Sequence, residues 1–161
     1  MIELSLVGVR VELPSNQPIV LLKEVDGERF LPIWIGAVEA SAIAFAQQGT
    51  ETPRPLTHEL MQRLVTALGD ELQEVRIVDV DEGVFYATLH FQSGATVEAR
   101  PSDSIALALR SGTRILCAED VLDVAGITST REEDEEIEKF REFLDAVEPE
   151  DFEAPGPDPE P

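Results

Sequence analysis

Apolar and polar positions in the first third of the chain alternate with a period near two, the mark of strands with one covered face. Residues 2–12 place Leu4 and Leu6 on one side and Val7, Val9 and Val11 on the other, which predicts a central strand or one facing a second subunit. Pro14-Ser15-Asn16-Gln17-Pro18 is a turn. Ile19-Val20-Leu21-Leu22 follows as a strand that is apolar on both sides. Asp26-Gly27 marks a hairpin, and Phe30 to Ile35 forms a third strand, where Pro32 predicts an edge or a bulge. The period then lengthens to that of a helix. Ala37 to Gln48 is Ala-rich and closed by Gly49. After a loop with two prolines, His58 to Leu68 reads as a second helix, capped by Thr57, stopped by Gly69 and buried through Met61, Leu64, Val65 and Leu68.

Period-two patterning returns for three more strands. Leu72 to Val80 changes phase between Ile77 and Val78, which predicts a bulge. Val84 to Phe91 puts Phe85, Ala87, Leu89 and Phe91 on one face and Tyr86, Thr88 and His90 on the other. Ala95, Val97 and Ala99 then face in, with Thr96, Glu98 and Arg100 outward. Turns this short join neighbours, so the three strands are expected as a meander. A helix from Ser104 to Arg110 has little polar surface and is expected to be covered on several sides. Arg114 to Ala118 is a short strand, and Glu119 to Ala125 a short helix stopped by Gly126. Strands and helices mixed without strict alternation predict an α+β fold: a single domain over residues 1–130, with a mixed, mostly antiparallel sheet and helices packed on it.

Beyond this domain, Thr130 can cap an amphipathic helix over residues 131–148, with Ile137, Phe140, Phe143, Leu144 and Val147 at helical spacing. Such a stripe requires a surface to rest on. Residues 149–161 are acidic and proline-rich, the composition of a disordered tail. The net charge of −21 divides between the two parts: residues 131–161 hold 14 acidic and three basic residues, and residues 1–130 hold 19 and nine. That balance opposes a high-affinity nucleic-acid binder, whose phosphate contacts come from a basic face, and leaves room for a local basic pocket. The single cysteine, Cys117, excludes an internal disulfide and a cysteine-based zinc cluster, and its apolar neighbours predict an inert buried thiol. No charged-then-apolar leader opens the chain and no apolar run is long enough to span a bilayer, so a cytoplasmic protein is expected.

Candidate chemistry gathers at three helix starts. Glu39 is the only charge between Arg29 and Glu51 and shares a helix side with Ile43 and Ala46. It reads as a metal ligand or acid–base group, or as a partner of a nearby arginine or an exposed carboxylate favoured by the helix dipole. Arg54, Thr57 and His58 form a second cluster, at a helix N-terminus suited to phosphate. His58 can act in proton transfer or be solvated. Arg100, Ser102, Asp103 and Arg110 form the third. There Pro101 predicts that Arg100 ends the strand, and Ser102 or Asp103 can cap the helix. Two lysines are too few for an easily assembled carboxylate–lysine nuclease centre, and two histidines too few for a histidine-rich metal site, although His58 and His90 could form a metal-free pair. There is no glycine-rich phosphate loop, nucleophile elbow or metalloprotease helix motif.

Three segments in this order, Leu31 to Ala40, Pro53 to His58 and Arg100 to Arg110, resemble the bifunctional nuclease family over about residues 1–127. The resemblance implies hydrolysis of DNA and RNA phosphodiesters, with both nucleic acids as partners. From residue chemistry, the corresponding site has Glu39, His58 and Asp103 as catalytic groups. Glu39 and Asp103 would ligate a divalent ion, Mg²⁺ or Mn²⁺, and Arg54, Thr57, Arg100, Ser102 and Arg110 would bind the substrate. The alternative is a non-enzymatic regulatory module that binds an anion or a partner's carboxylates at the same helix starts. Convergence of these residues in an open cleft favours catalysis; dry mutual pairing favours structure. A homodimer is expected, with no membrane association.

Overall fold

Two antiparallel meanders are joined into one eight-stranded sheet by a four-residue strand. In the computed structural model, which describes residues 1–128 together with Glu135, Glu138, Lys139 and Glu142, the first meander is β1 (Ile2–Glu12), β2 (Gln17–Glu24) and β3 (Arg29–Trp34). Helices α1 (Ala37–Gln48) and α2 (Thr57–Ala67) follow, then the second meander, β4 (Leu72–Asp81), β5 (Val84–Phe91) and β6 (Thr96–Ala99). Helix α3 (Pro101–Ser111) leads to β7 (Arg114–Cys117), which pairs parallel to β4 and antiparallel to β1. Short α4 (Glu119–Ala125) and β8 (Ile127–Thr128) complete the order β6-β5-β4-β7-β1-β2-β3-β8. The result is the α+β domain expected from the pattern, with a mixed, mostly antiparallel sheet.

The hydrophobic pattern matched the sheet where strands are regular and missed where they are not. Val20, Leu21 and Leu22 are all buried, because β2 is flanked on both sides by strands. In β1, however, the register shifts between Leu6 and Gly8. The extra residue turns Val9 to the same face as Leu4 and Leu6, so Val9 packs on the core and Val11 stays 58% exposed. The expected face of Val7, Val9 and Val11 therefore does not exist. The bulge after Ile77 is where the phase change placed it. Val97, expected to face in, is 48% exposed, because β6 is the sheet's outer strand. The two-residue β8 escaped the sequence reading. It forms because Gly126 lets the chain turn against the Leu122 carbonyl, which accepts the Gly126 N–H at 2.8 Å.

One core lies between the sheet and its helices, with Val75, Ile77, Ala87, Val20 and Leu22 from the strands against Ile43 and Ile105. Helix α3 packs against α1, α2 and the sheet, and Ile105 to Ala108 are buried in succession. It begins three residues earlier than expected, at Pro101, whose missing N–H has no intrahelical partner to lose in the first turn. Helix α2 behaves differently from its expected pattern. Met61 and Val65 are half-buried, but Leu64 and Leu68 are 53% and 85% exposed, and no residue of α2 is fully buried. The far face of the sheet is polar, with Glu74 opposite His90 and Arg76 opposite Thr88.

Residues Met1–Thr128 form one compact unit and Ser129–Pro161 a second. Glu135, Glu138, Lys139 and Glu142 are helical and exposed. The rest of the expected helix, including Phe140 and Phe143, and the acidic tail lie outside the described residues.

Candidate functional site at three helix starts

The first turns of α1, α2 and α3 meet at one end of the helical layer. Each contributes one ionisable side chain to a bonded cluster, Glu39 from α1, His58 from α2 and Asp103 from α3, while Glu59 in the same turn of α2 pairs with Arg63. Arg100, the N-cap residue of α3, ties them together. Its Nη1 donates to Glu39 Oε1 at 3.0 Å and its Nε to Asp103 Oδ2 at 2.8 Å. The second Asp103 oxygen, Oδ1, lies 3.1 Å from His58 Nε2. The four residues thus form a continuous chain, Glu39–Arg100–Asp103–His58, across three separate helices.

Local structure explains how each is held. Pro101 keeps Arg100 extended, at φ −69° and ψ 145°, so its side chain leaves the helix end instead of joining the helix. The Ser104 hydroxyl donates to the Arg100 carbonyl at 2.8 Å. Neither Ser102 nor Asp103 caps α3, and Thr57 does not cap α2; Thr57 is the first helical residue, and Leu56 stands at the cap position. Thr57 is displaced from that role because α2 starts one residue sooner than its hydroxyl could serve. Asp103 is instead drawn to Arg100 and His58. The α1 start has a feature that the sequence reading missed. Gly36 precedes the helix, and a β-carbon there would collide with the Glu39 carboxylate. The glycine was read only as a strand end; its spacing of three from the lone carboxylate was the available signal.

The electrostatics follow from these bonds. Glu39 accepts a hydrogen bond from its own backbone N–H and one from Arg100, which together hold its carboxyl below the usual Glu range. Burial pushes Asp103 up, but the bonds from Arg100 and His58 outweigh it and hold Asp103 low as well. Both carboxylates are therefore ionised at neutral pH. Exposure is graded: the His58 side chain is 15% exposed, Glu39 22%, Asp103 30% and Arg100 63%. The guanidinium faces solvent, and among the described residues its Nη2 makes no hydrogen bond.

The remaining candidates are not bonded into this chain of four. Arg110 lies two turns along α3 from Asp103, where Nη1 donates to the Thr50 carbonyl at 3.1 Å and braces the loop after α1. Ser102 is 7% exposed. Arg54 is exposed in the loop before α2, and its side chain forms no ion pair among the described residues. His90 points to the far face of the sheet, bonded to the Thr88 hydroxyl at 2.9 Å, so the sheet separates it from His58 and no histidine pair forms. A cavity of about 160 Å³, lined by Gln62, Thr66, Leu72, Leu107 and Ser111 among others, belongs to the α2–α3–β4 junction and includes none of the four linked residues. Cys117 is buried and its thiol pushed up to about 12 by that burial, the inert state expected of it.

The donor set does not fit a divalent metal in this arrangement. Among the described residues there is no group of three or more metal-ligating side chains. Glu39 and Asp103 share one cationic partner already, the Arg100 guanidinium between them. No described helix is long and apolar enough to cross a membrane.

A family model for the bifunctional nuclease domain matches residues 20–130, which contain all four linked residues. Two proteins of Mycobacterium tuberculosis, uncharacterized protein MT1877 of strain CDC 1551 / Oshkosh and uncharacterized protein Rv1829 of strain ATCC 25618 / H37Rv, are each 55% identical to the chain over 161 residues, covering 94% of it and 98% of their own length.

Proposed function

The chain belongs to the bifunctional nuclease domain family, and on that premise we propose that it hydrolyses phosphodiester bonds of DNA and RNA at the meeting point of α1, α2 and α3. The observation that carries this reading is the His58–Asp103 pair beside a solvent-facing arginine. Ionised Asp103 accepts a hydrogen bond from the Nε2–H of His58 and orients the ring, which leaves Nδ1 as the basic nitrogen. A water bound at the phosphate gives its proton to His58 Nδ1 as its oxygen forms the new bond to phosphorus. The bond to the sugar oxygen breaks, and the imidazolium returns the proton to that leaving oxygen. Arg100 supplies Nη2 to the developing equatorial charge, supported by the positive ends of three helices. Glu39 acts as a positioning residue that holds the guanidinium in place. Arg54, exposed on the loop before α2, extends the cationic track to the next phosphate. No step is assigned to Mg²⁺ or Mn²⁺, because Arg100 stands between the two carboxylates that would ligate the ion.

A second reading is favoured by one observation: both carboxylates already neutralise Arg100, which suits a module that exchanges its internal carboxylates for an anion or a partner's carboxylates without hydrolysis. One experiment separates the two. Highly purified protein is assayed on single- and double-stranded DNA and RNA, with and without EDTA, beside Glu39→Ala, His58→Ala and Arg100→Ala. The nuclease reading expects activity that survives EDTA and falls about 10²–10⁴-fold in His58→Ala. Equal activity in all variants identifies a contaminant and removes the reading. Binding by an inactive wild type selects the module.

A further inference from the structure

Helix α2 buries no residue completely, and the apolar side chains it carries are split between two faces. Met61 and Val65 lean on the core, while Leu56, Leu60, Leu64 and Leu68 point outward at 41%, 46%, 53% and 85% exposure. Thr57 and Ala67 complete that stripe, and Glu59, Arg63 and Thr66 flank it on one side, so the stripe itself carries no charge. Read along the helix, the outward positions run large-small at Leu56-Thr57, large at Leu60, large at Leu64 and small-large at Ala67-Leu68. By size this order is the same from either end, and its centre, at the level of Gln62, is the midpoint of Thr57–Ala67. A two-fold antiparallel contact sets each position against its mirror position in the other copy, so this order puts leucine against leucine and small against small.

We propose that this face of α2 is the contact between two copies of the chain, with α2 laid antiparallel on α2 of the partner subunit. Leu60 then meets the partner's Leu64, and Leu56 meets the partner's Leu68. Thr57 opposite the partner's Ala67 allows the backbones to approach. The four leucines lie on one i±4 ridge, and two such ridges interdigitate at a crossing angle of about −50°. Charge supports this occupant over an unrelated one. Glu59 and Arg63 pair within the helix at 2.7 Å beside the stripe, and the two-fold brings Arg63 within a turn of the partner's Glu59. A chain of net charge −21 thus presents to its own copy a neutral, internally matched strip. His58 projects from the other side of α2, toward Asp103, so the contact leaves the His58–Asp103 pair uncovered. Eleven residues of helix span about 16 Å, a small patch beside the roughly 800 Å² per partner of stable complexes. The dimer is therefore concentration-dependent.

Sedimentation velocity of the full chain over two decades of concentration tests this. Wild type is expected to pass from monomer to dimer, and Leu60→Glu or Leu64→Glu to raise the dissociation constant at least tenfold, with a melting temperature equal to wild type at concentrations where wild type is monomeric, since both side chains are already half in solvent. Mixed Leu60→Cys and Leu64→Cys proteins are expected to cross-link faster than either alone, with buried Cys117 silent. Nuclease activity per chain is expected to stay level in all these variants, which keeps the proposal independent of the functional reading. A monomer at every concentration, or a dimer indifferent to Leu60→Glu, overturns it. So does a Phe140→Asp/Phe143→Asp full chain that dimerises where wild type does not, because the chain's own C-terminal segment would then be the occupant.

Discussion

Asp103 has two oxygens and two partners, and each oxygen answers a different question. Oδ2 holds the arginine that faces solvent, and Oδ1 holds the histidine. Asp103→Asn keeps the shape and removes the charge that fixes the His58 tautomer. Turnover is expected to fall at least 10²-fold while stability falls by no more than about 1 kcal/mol, the scale of a partly exposed ion pair. Kinetics beside a thermal melt checks both halves. The pH dependence carries a definite sign. Glu24, Glu39 and Asp103 all have folded pKa values below their ordinary values of 4.5, 4.5 and 3.8. Their contribution is complete above those values and is lost as pH falls through the lower folded ones. Acid unfolding monitored from pH 6 down to pH 2 should therefore show a flat region and then a loss below about pH 4, and Glu24→Gln should remove part of it. Glu24 is the most buried of the three, 8% exposed, and meets Arg29 through Nε, Nη2 and the backbone N–H. Its substitution is expected to cost about 2 kcal/mol, less than the 3–5 of a fully buried pair because the Arg29 side chain keeps 27% exposure.

At the scale of elements, the start of α1 is the point where backbone and site depend most directly on each other. Gly36 has φ −76°, which any residue adopts, so what its missing β-carbon leaves is space for the Glu39 carboxylate and not a special conformation. Gly36→Ala is expected to push the Glu39 carboxylate off Arg100 and lower the melting temperature slightly, and to leave it unchanged in a Glu39→Ala background. A double-mutant cycle on melting temperature reads that coupling directly. Sequence legibility divides along similar lines. Seven of the eight strands, the turns and the C-terminal ends of α1 and α2 were legible, because Asp26-Gly27, Gly49 and Gly69 act locally; the starts of α2 and α3 were displaced by one and three residues. Faces were less so: one bulge after Leu6 reversed the outward set of β1, and α2 showed that a leucine stripe can be amphipathic in the wrong direction for burial. The members of the candidate site were legible as polar residues at helix starts. Their wiring was not, because Arg100 is 61 residues from Glu39 in the chain and its two partners are chosen by how α1 and α3 pack.

At the scale of the molecule, charge governs what can approach. Residues 131–161 carry −11 of the total −21, so a chain ending at Ser129 has about half the net charge. If the site takes nucleic acid, the shortened chain is expected to bind it more tightly, with a gap that closes as salt rises and the screening length shrinks from about 30 Å at 0.01 M to about 8 Å at 0.15 M. Titrations at several salt concentrations decide this, and equal affinity throughout would make the segment electrostatically idle.

β7 is only four residues long, yet each meander reaches the other through it, by Glu74 to Ile77 on one side and Ile2 to Leu4 on the other. Each meander closes its own ladder from near neighbours in the chain, whereas β7 must wait for partners about 40 and 110 residues upstream. Such distant closures come at the highest entropic cost and limit the rate of folding. The molecule is thus two quickly formed hairpin blocks with one slow seam, and that seam is also where it should first come apart. Native-state hydrogen exchange is expected to resolve Ile115 and Leu116 amides as a unit that opens below the global free energy, before the β1–β2 and β4–β5 ladders.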